Sequence, residues 1–336
     1  MLTQRENVLE TIKKDGKPER LTNCYTAFKP IGNDPVFNYV RGNRIRGTNS
    51  YDRWGTYISF PEDQPAAIPI VTAENQVIKD IEDWKKYVKV PDLRSACSEG
   101  WENALKNSDA VDRSKYFTTS IMGTGIFEQL HMLLTFEDTL CNLLIYPDEM
   151  HELIDVITEY RLEYMKLLVE NLHPDAIISH DDFGSQHSLF MAPDTWREFF
   201  KEPYRKLYDY LHANNVLVVH HADSFCEPIV EDMVEIGIDI WQGVLPTNDI
   251  KKLTKQLDGR MALMGGIDSV IDQAGVTEDE IRTEVRKVCD EYGNLPHFMP
   301  GYTYGGPGVI FPQIEPIIFD EIERYNKEHF GICNEI

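Results

Sequence analysis

The chain has 336 residues, 42% hydrophobic and 11% aromatic, enough to bury the core of one large α/β domain or two small ones. Its formal charge of −23 repels phosphate backbones and argues against nucleic acid as a partner. No apolar run approaches the roughly 18 residues of a membrane span. The polar start Met1-Leu-Thr-Gln-Arg-Glu-Asn7 does not read as a secretory leader, so a cytoplasmic protein is expected. Cys24, Cys97, Cys141, Cys226, Cys289 and Cys333 lie far apart with no Cys-x-x-Cys pair, which fits a reducing compartment without a disulfide framework.

Along the chain, Thr3 with Glu6 three residues later forms a capping box, and Val8, Leu9 and Ile12 follow at helical spacing until Gly16. A short strand is predicted near Cys24–Phe28. Residues 30–110 then break the rhythm with Pro30, Gly32, Pro35, Gly42, Gly47, Pro61, Pro65 and Pro69, and read as a long insertion covering one end of the fold. A second strand is placed near Tyr116–Met122. Asp148 to Asn171 carries Met150, Leu153, Ile154, Ile157, Tyr164 and Leu168 on one helical face.

Further strands are placed near Ala176–Ser179, Val216–His220, Ile238–Gln242, Met261–Met264 and Pro296–Met299. Helices separate them: Pro193–Asn214, a segment through Ile229 and Val234 ending at Gly237, and one opened by the Thr277/Glu280 capping box. Alternating strands and helices imply right-handed βαβ units and a parallel sheet. About eight such units in one domain, residues 1–336, predict an α/β fold of the (β/α)8 TIM-barrel type, its insertion lying over the barrel mouth. No Gly-x-Gly-x-x-Gly follows the first strand, which counts against a dinucleotide fold.

Polar residues gather after nearly every predicted strand, which in a barrel converges them on one mouth. They are Gly123-Thr-Gly125 with Glu128, His180 to Gln186, His221 with Asp223, Trp241 with Gln242, Gly265-Gly-Ile-Asp268, and the glycine-rich stretch bearing Tyr302 and Tyr304. His221 and Asp223, two apart at the end of an apolar strand, point the same way and could ligate a divalent metal such as zinc, with Glu128 or Asp182 completing the set. The competing reading makes Asp223 a helix cap and His221 a core histidine. Asp181 and Asp182 face opposite ways, so one of them faces the mouth as an acid/base or ligand. Asp182 and Glu128 are the candidate catalytic carboxylates. Trp54, His180, Gln186, Gln242, Tyr302 and Tyr304 are the candidate substrate contacts. Packing between barrel and helices is the alternative for His180, and anchoring of the insertion is the alternative for Trp54.

The chain resembles the uroporphyrinogen decarboxylase superfamily. The resemblance rests on Thr3-Gln-Arg-Glu-Asn-Val8, Tyr51-Asp-Arg-Trp-Gly55, Lys79-Asp-Ile-Glu-Asp-Trp84, Phe127-Glu128 and Asp181-Asp-Phe-Gly-Ser-Gln186. It continues through His221-Ala-Asp223, Glu235-Ile-Gly-Ile-Asp239 and Gly265-Gly-Ile-Asp268. It implies a (β/α) barrel with its cleft at the strand carboxyl ends. Porphyrinogen decarboxylases carry an early Arg-Gln-Ala-Gly-Arg stretch that grips substrate carboxylates, and Tyr25-Thr-Ala-Phe-Lys-Pro30 lacks it. The other branch, corrinoid-dependent methyltransferases of anaerobic metabolism, binds zinc through His-x-Cys and a later Cys. Here His221 and Asp223 occupy the first two positions, and Tyr302 the third.

Replacing thiolates by a carboxylate suits an ether oxygen better than a thiol acceptor. The resemblance therefore implies an O-demethylase component. It would pass the methyl of a methoxylated, aromatic or other methylated small molecule to a corrinoid (cobalamin) on a separate carrier protein, since no Asp-x-His-x-x-Gly corrinoid motif is present. A decarboxylase or lyase acting on a small carboxylated substrate and a non-catalytic corrinoid- or tetrapyrrole-binding protein are the alternatives. A homodimer is left open as the assembly.

Overall fold

A computed structural model describes residues 1–22, 24–303 and 310–332, with the backbone alone at Cys24 and Tyr25. The Thr3 box forms as expected: Glu6 N–H donates to the Thr3 hydroxyl at 3.2 Å and Thr3 N–H to the Glu6 carboxylate at 2.8 Å, opening α1 (Gln4–Ile12). Next come β1 (Phe28–Pro30), α2 (Pro35–Arg41), three short strands β2 (Thr48–Tyr51), β3 (Tyr57–Phe60) and β4 (Ile68–Pro69), and three short helices α3 (Trp84–Tyr87), α4 (Leu93–Ala96) and α5 (Glu102–Asp109).

From there strands alternate with helices. These are β5 (Phe117–Met122), α6 (Ile126–Leu133), α7 (Phe136–Ile145), α8 (Pro147–Leu172), β6 (Ala176–His180), α9 (Pro193–Trp196) and α10 (Glu202–Ala213). The series ends with β7 (Leu217–His221), α11 (Val230–Glu235), β8 (Ile240–Val244), α12 (Ile250–Leu257), β9 (Ala262–Ile267), α13 (Glu278–Tyr292), β10 (Phe298–Tyr302) and α14 (Ile314–Phe330). A π-turn at Arg197–Lys201 joins α9 to α10, so the single helix predicted for 193–214 carries an irregularity. No helix among the described residues is long and apolar enough to cross a membrane.

The main sheet has seven parallel strands in the order β1-β5-β6-β7-β8-β9-β10 and curls into a partial barrel. Six of the predicted strands are present near where they were placed; the one expected near Cys24–Phe28 is instead a 3-10 turn over Cys24–Ala27, with β1 starting only at Phe28, and the expected count of about eight is seven among the described residues. β1 pairs directly with β5, and the Ile31 N–H donates to the Thr119 carbonyl at 2.8 Å, which leaves no ladder edge for a strand between them. The extended pieces of residues 30–110 pair with one another instead, as the antiparallel sheet β2-β3-β4. That stretch docks on helices that follow β5: Ile78 N–H donates to the Leu133 carbonyl at 2.9 Å, and Trp54 packs edge-on against Tyr160 of α8 at 4.8 Å between ring centres.

The core lies between strands and helices, with Val218, Ile240, Trp241 and Leu263 fully buried from the sheet and Leu153, Leu168, Leu207 and Val285 from the helices. A bulge at Gly243 (φ +94°) interrupts the β8–β9 ladder just past Gln242. A side chain there would come within 2.7 Å of the Thr303 carbonyl, so only glycine fits.

Among the described residues no ladder joins β1 to β10. One side chain bridges the region: Asn326 of α14 accepts from Leu21 N–H at 2.9 Å and donates to the Leu21 carbonyl at 3.0 Å, tying the last helix to the approach to β1. Asn326→Ala removes both buried bonds and is expected to cost about 1–3 kcal/mol of stability by denaturant unfolding. A second expectation concerns pH. Asp239 accepts from the His212 ring at 3.0 Å and raises its pKa, against the opposing effect of burial. A raised folded-state pKa contributes stability below the unfolded value of about 6.5 and loses it as pH rises through the folded one. His212→Ala should therefore destabilise more at about pH 5.5 than at about pH 8.5, by well under about 1 kcal/mol because the pair is partly exposed. Thermal unfolding at the two pH values checks the sign.

Candidate metal centre

Parallel pairing sets the site. His180 at the end of β6 is the register partner of His221 at the end of β7, and His221 is the partner of Gln242 on β8. Register partners in adjacent strands project to the same face about 4.8 Å apart. The two imidazoles accordingly stack, with ring centres 4.4 Å apart and planes inclined by 12°. Asp182, two residues past His180, joins them: one ligand atom from each of His180, Asp182 and His221 lies within 4.8 Å of the other two.

Hydrogen bonds decide which ring nitrogens face this cluster. Gln242 donates through Nε2 to the Tyr302 carbonyl at 3.1 Å, which turns its Oε1 toward His221 Nδ1. His221 Nδ1 must then carry the proton, leaving the Nε2 lone pair free. That Nε2 is buried and has no hydrogen-bond partner. His180 Nδ1 donates to Glu128 Oε2 at 2.8 Å, and its Nε2 lies 3.9 Å from Asp182 Oδ2. Each imidazole is thus oriented through Nδ1 by an oxygen acceptor, the arrangement that metal-ligating histidines use. Two imidazoles and one carboxylate match the protein donor set of catalytic zinc and of related divalent ions. The residues fit a metal.

Charges follow from burial and neighbours. Burial, followed by repulsion from His180, pushes His221 down to about 3, so it is neutral and competent as a ligand. Burial disfavours charge on His180, but Glu128, with Asp182 and Asp181 behind it, lifts the ring to about 10. Burial would raise Glu128 as well, yet His180 and the Gly125 amide hold it at about 2. Asp223 is pushed up to about 8 by burial and by the Asp182 carboxylate beside it. Asp182 is also raised, chiefly by burial.

Several expectations change in detail. Asp223 is not among the residues whose ligand atoms cluster, which are His180, Asp182 and His221. β7 ends at His221, so strand alternation no longer governs position 223, and Asp223 meets Asp182 through a side-chain contact and a backbone N–H bond of 2.8 Å. Glu128, expected as a proton donor, is anionic and orients His180. His180, expected to contact substrate, is a ligand candidate, and Gln242 orients His221 from a fully buried position. Trp54 is 3% exposed against Tyr160, which makes it an anchor of the 30–110 stretch. Tyr302 is buried, its hydroxyl donating to Glu315 of α14 at 2.7 Å, so it does not wall a ligand space. Gln186 is exposed on the loop after β6, and Tyr304 lies outside the described residues. His220 is a core histidine, bonded to the Tyr208 hydroxyl at 2.6 Å and held neutral by burial.

Asp182 was expected to complete a ligand set and His180 to contact substrate; the sequence reading missed only their pairing, although they share the two-residue spacing that singled out His221 and Asp223. Arg161 of α8 escaped it altogether, with no signal to find it. It is 2% exposed, with its guanidinium on the Thr124 carbonyl and 3.0 Å from the Ser179 hydroxyl, and holds the loop after β5 from beneath. An open cleft of about 620 Å³ on α8, lined in part by Leu93, Arg94 and Glu159, contains none of the cluster residues. Its Arg94 is already paired with Glu163 and Glu170.

Comparison with known proteins agrees with this architecture. The uroporphyrinogen decarboxylases of Burkholderia thailandensis and Burkholderia pseudomallei are 25% and 24% identical over 184 residues, 54% of this chain and 48% of each relative. The chain thus spans about half the length of the curated relatives it matches. A solved methyltransferase from Methanosarcina mazei superposes with a TM-score of 0.67 at 16% identity, covering 97% of this chain and 99% of that one, and so shares the fold. Since the family model for uroporphyrinogen decarboxylase (URO-D) matches residues 54–302, the chain belongs to that family.

Proposed function

We propose that this chain is a methyltransferase that removes the methyl group of a methoxylated, aromatic small molecule and delivers it to a reduced corrinoid on a partner carrier protein. The observation that carries the reading is the buried, unpartnered His221 Nε2 facing a second imidazole and a carboxylate. The fold shared with a protein named methyltransferase supports it. So does the oxygen- and nitrogen-rich donor set, which contains no thiolate. His180, Asp182 and His221 would hold zinc, which supplies Lewis-acid polarisation of the ether oxygen when bound.

The chain's own groups do the rest. The methyl carbon passes to reduced cobalt of the carrier by in-line displacement, and the electron pair of its C–O bond stays on the departing oxygen. Asp223, raised by burial and by the Asp182 carboxylate beside it, keeps a proton available for that oxygen. Glu128 and Gln242 keep both imidazoles in the ligating orientation. The 30–110 stretch is the element proposed to cover the barrel mouth, where the carrier must dock.

The metal-loaded protein, mixed with cob(I)alamin and a panel of methoxyarenes, is expected to produce the methylcobalamin absorption spectrum with at least one donor. Silence across the panel with zinc bound would overturn the methyl-transfer reading. His221→Ala is expected to lose stoichiometric zinc by elemental analysis and to cut turnover about 100-fold or more. Asp223→Asn, which removes the proton and leaves the ligand group in place, should retain zinc and slow turnover about 10²–10⁴-fold. A second reading, decarboxylation of a small carboxylated substrate, is favoured by the names of the curated relatives and by the same proton-bearing Asp223. Release of CO₂ from such a substrate by zinc-free protein would select it.

A further inference from the structure

The tripeptide His180-Asp181-Asp182 faces two ways. His180 and Asp182 turn to the metal centre, whereas Asp181 turns to the opposite side and is completely buried against the start of α6. A helix begins with four backbone N–H groups that lack intrahelical partners. At α6 side chains occupy them in a fixed pattern. Ile126 N–H donates to the Tyr204 hydroxyl at 3.0 Å, and Phe127 and Glu128 N–H donate to the two Asp181 carboxylate oxygens at 2.9 Å each. The Tyr204 hydroxyl in turn donates to Asp181, and Gly125 N–H donates to Glu128 Oε2 at 3.0 Å. That same Glu128 oxygen accepts from His180 Nδ1 at 2.8 Å.

We propose that Asp181 is a positioning residue for the metal centre. By gripping the first turn of α6 it fixes the carboxylate of Glu128, which in turn sets the ring orientation of His180 and the direction of its Nε2. The proposal rests on the reading of His180, Asp182 and His221 as metal ligands. The geometry makes the route specific. Asp181 bonds to the amide of the very residue whose side chain holds His180, so the path from cap to ligand crosses one residue. Gly125 guards the same link from the other side. A Cβ there would lie 2.0 Å from Asp181 Cγ, and its three nearest atoms all belong to Asp181, so a side chain at 125 evicts that carboxylate first. Gly125 has an ordinary φ of −69°, and space is therefore the reason for glycine at this position.

Co²⁺ uptake by the metal-free full chain, followed by its visible absorption, tests this. Asp181→Asn and Gly125→Ala are each expected to weaken Co²⁺ binding about 10–100-fold, the usual effect of losing an outer-shell partner. If the route runs through His180, Asp181→Asn placed on His180→Ala should add no more than about twofold to the loss from His180→Ala alone. A merely structural cap would lower the unfolding temperature and leave this coupling at zero. Tyr204→Phe, which keeps the carboxylate, serves where Asp181→Asn fails to fold, with a smaller loss in the same direction. Wild-type affinity in the Asp181→Asn protein, or a loss that adds in full to that of His180→Ala, overturns the proposal while leaving the metal reading intact. Wild-type protein that takes up neither Co²⁺ nor Zn²⁺, or His221→Ala protein that binds as well as wild type, overturns the metal reading and the proposal with it.

Discussion

Parallel strand register is the constraint from which the site follows. Because Cα 180 stands opposite Cα 221, and Cα 221 opposite Cα 242, one row of side chains crosses three neighbouring strands at their carboxyl ends. A one-residue slip between any two of these strands would send a member of that row to the other face of the sheet. The bulge at Gly243 comes one residue later on β8, where the row has already been delivered and the chain turns away. The stacked imidazoles are thus a product of backbone hydrogen bonding, and the side chains around them refine an alignment the ladder has already imposed.

The site's electrostatics are divided between its two histidines. His180 and His221 differ in what lies on Nδ1: a carboxylate for one and a neutral amide for the other. The carboxylate partner makes His180 cationic in the metal-free protein, and the amide leaves His221 neutral. A metal would displace the proton of the first and occupy the lone pair of the second. Asp182 and Asp223 sit on the open side and share their burden of negative charge by keeping a proton. Buried charge is costly unless paired, and here Glu128 with His180 forms the pair while the remaining donors stay neutral or bind.

Much of this was legible in the sequence. Val216–His220 reads as a buried strand because no charge interrupts it, and a helix over Asp148–Asn171 was visible from its apolar period alone, observed as Pro147–Leu172. Asp181 and Asp182 were expected to face opposite ways; both lie past the end of β6, and the structure shows Asp182 beside the two imidazoles and Asp181 against α6. The expected pairing of His221 with Asp223 differs from the ligand-atom cluster, which takes its carboxylate from Asp182 on the neighbouring strand's loop. Tyr302 was read as a ligand wall because aromatic residues near glycines suit that role, and Trp54 as either such a wall or the anchor of the 30–110 stretch. Their rings are buried instead against α8 and α14, partners distant in sequence that periodicity does not reveal. The eighth strand was inferred from a count of alternating units, and because β1 pairs directly with β5 the 30–110 stretch places none between them.

Sequence alone settled the parallel α/β class, the placement of six strands and the identity of the polar residues at their carboxyl ends. These depend on local periodicity and on residue type, which a chain carries in its order. Only the tertiary structure decided that His180 rather than Asp223 partners His221, that Glu128 serves an imidazole, and that Asp181 belongs to α6. Such choices depend on register between strands some forty residues apart, and register is set by the packing of the whole sheet.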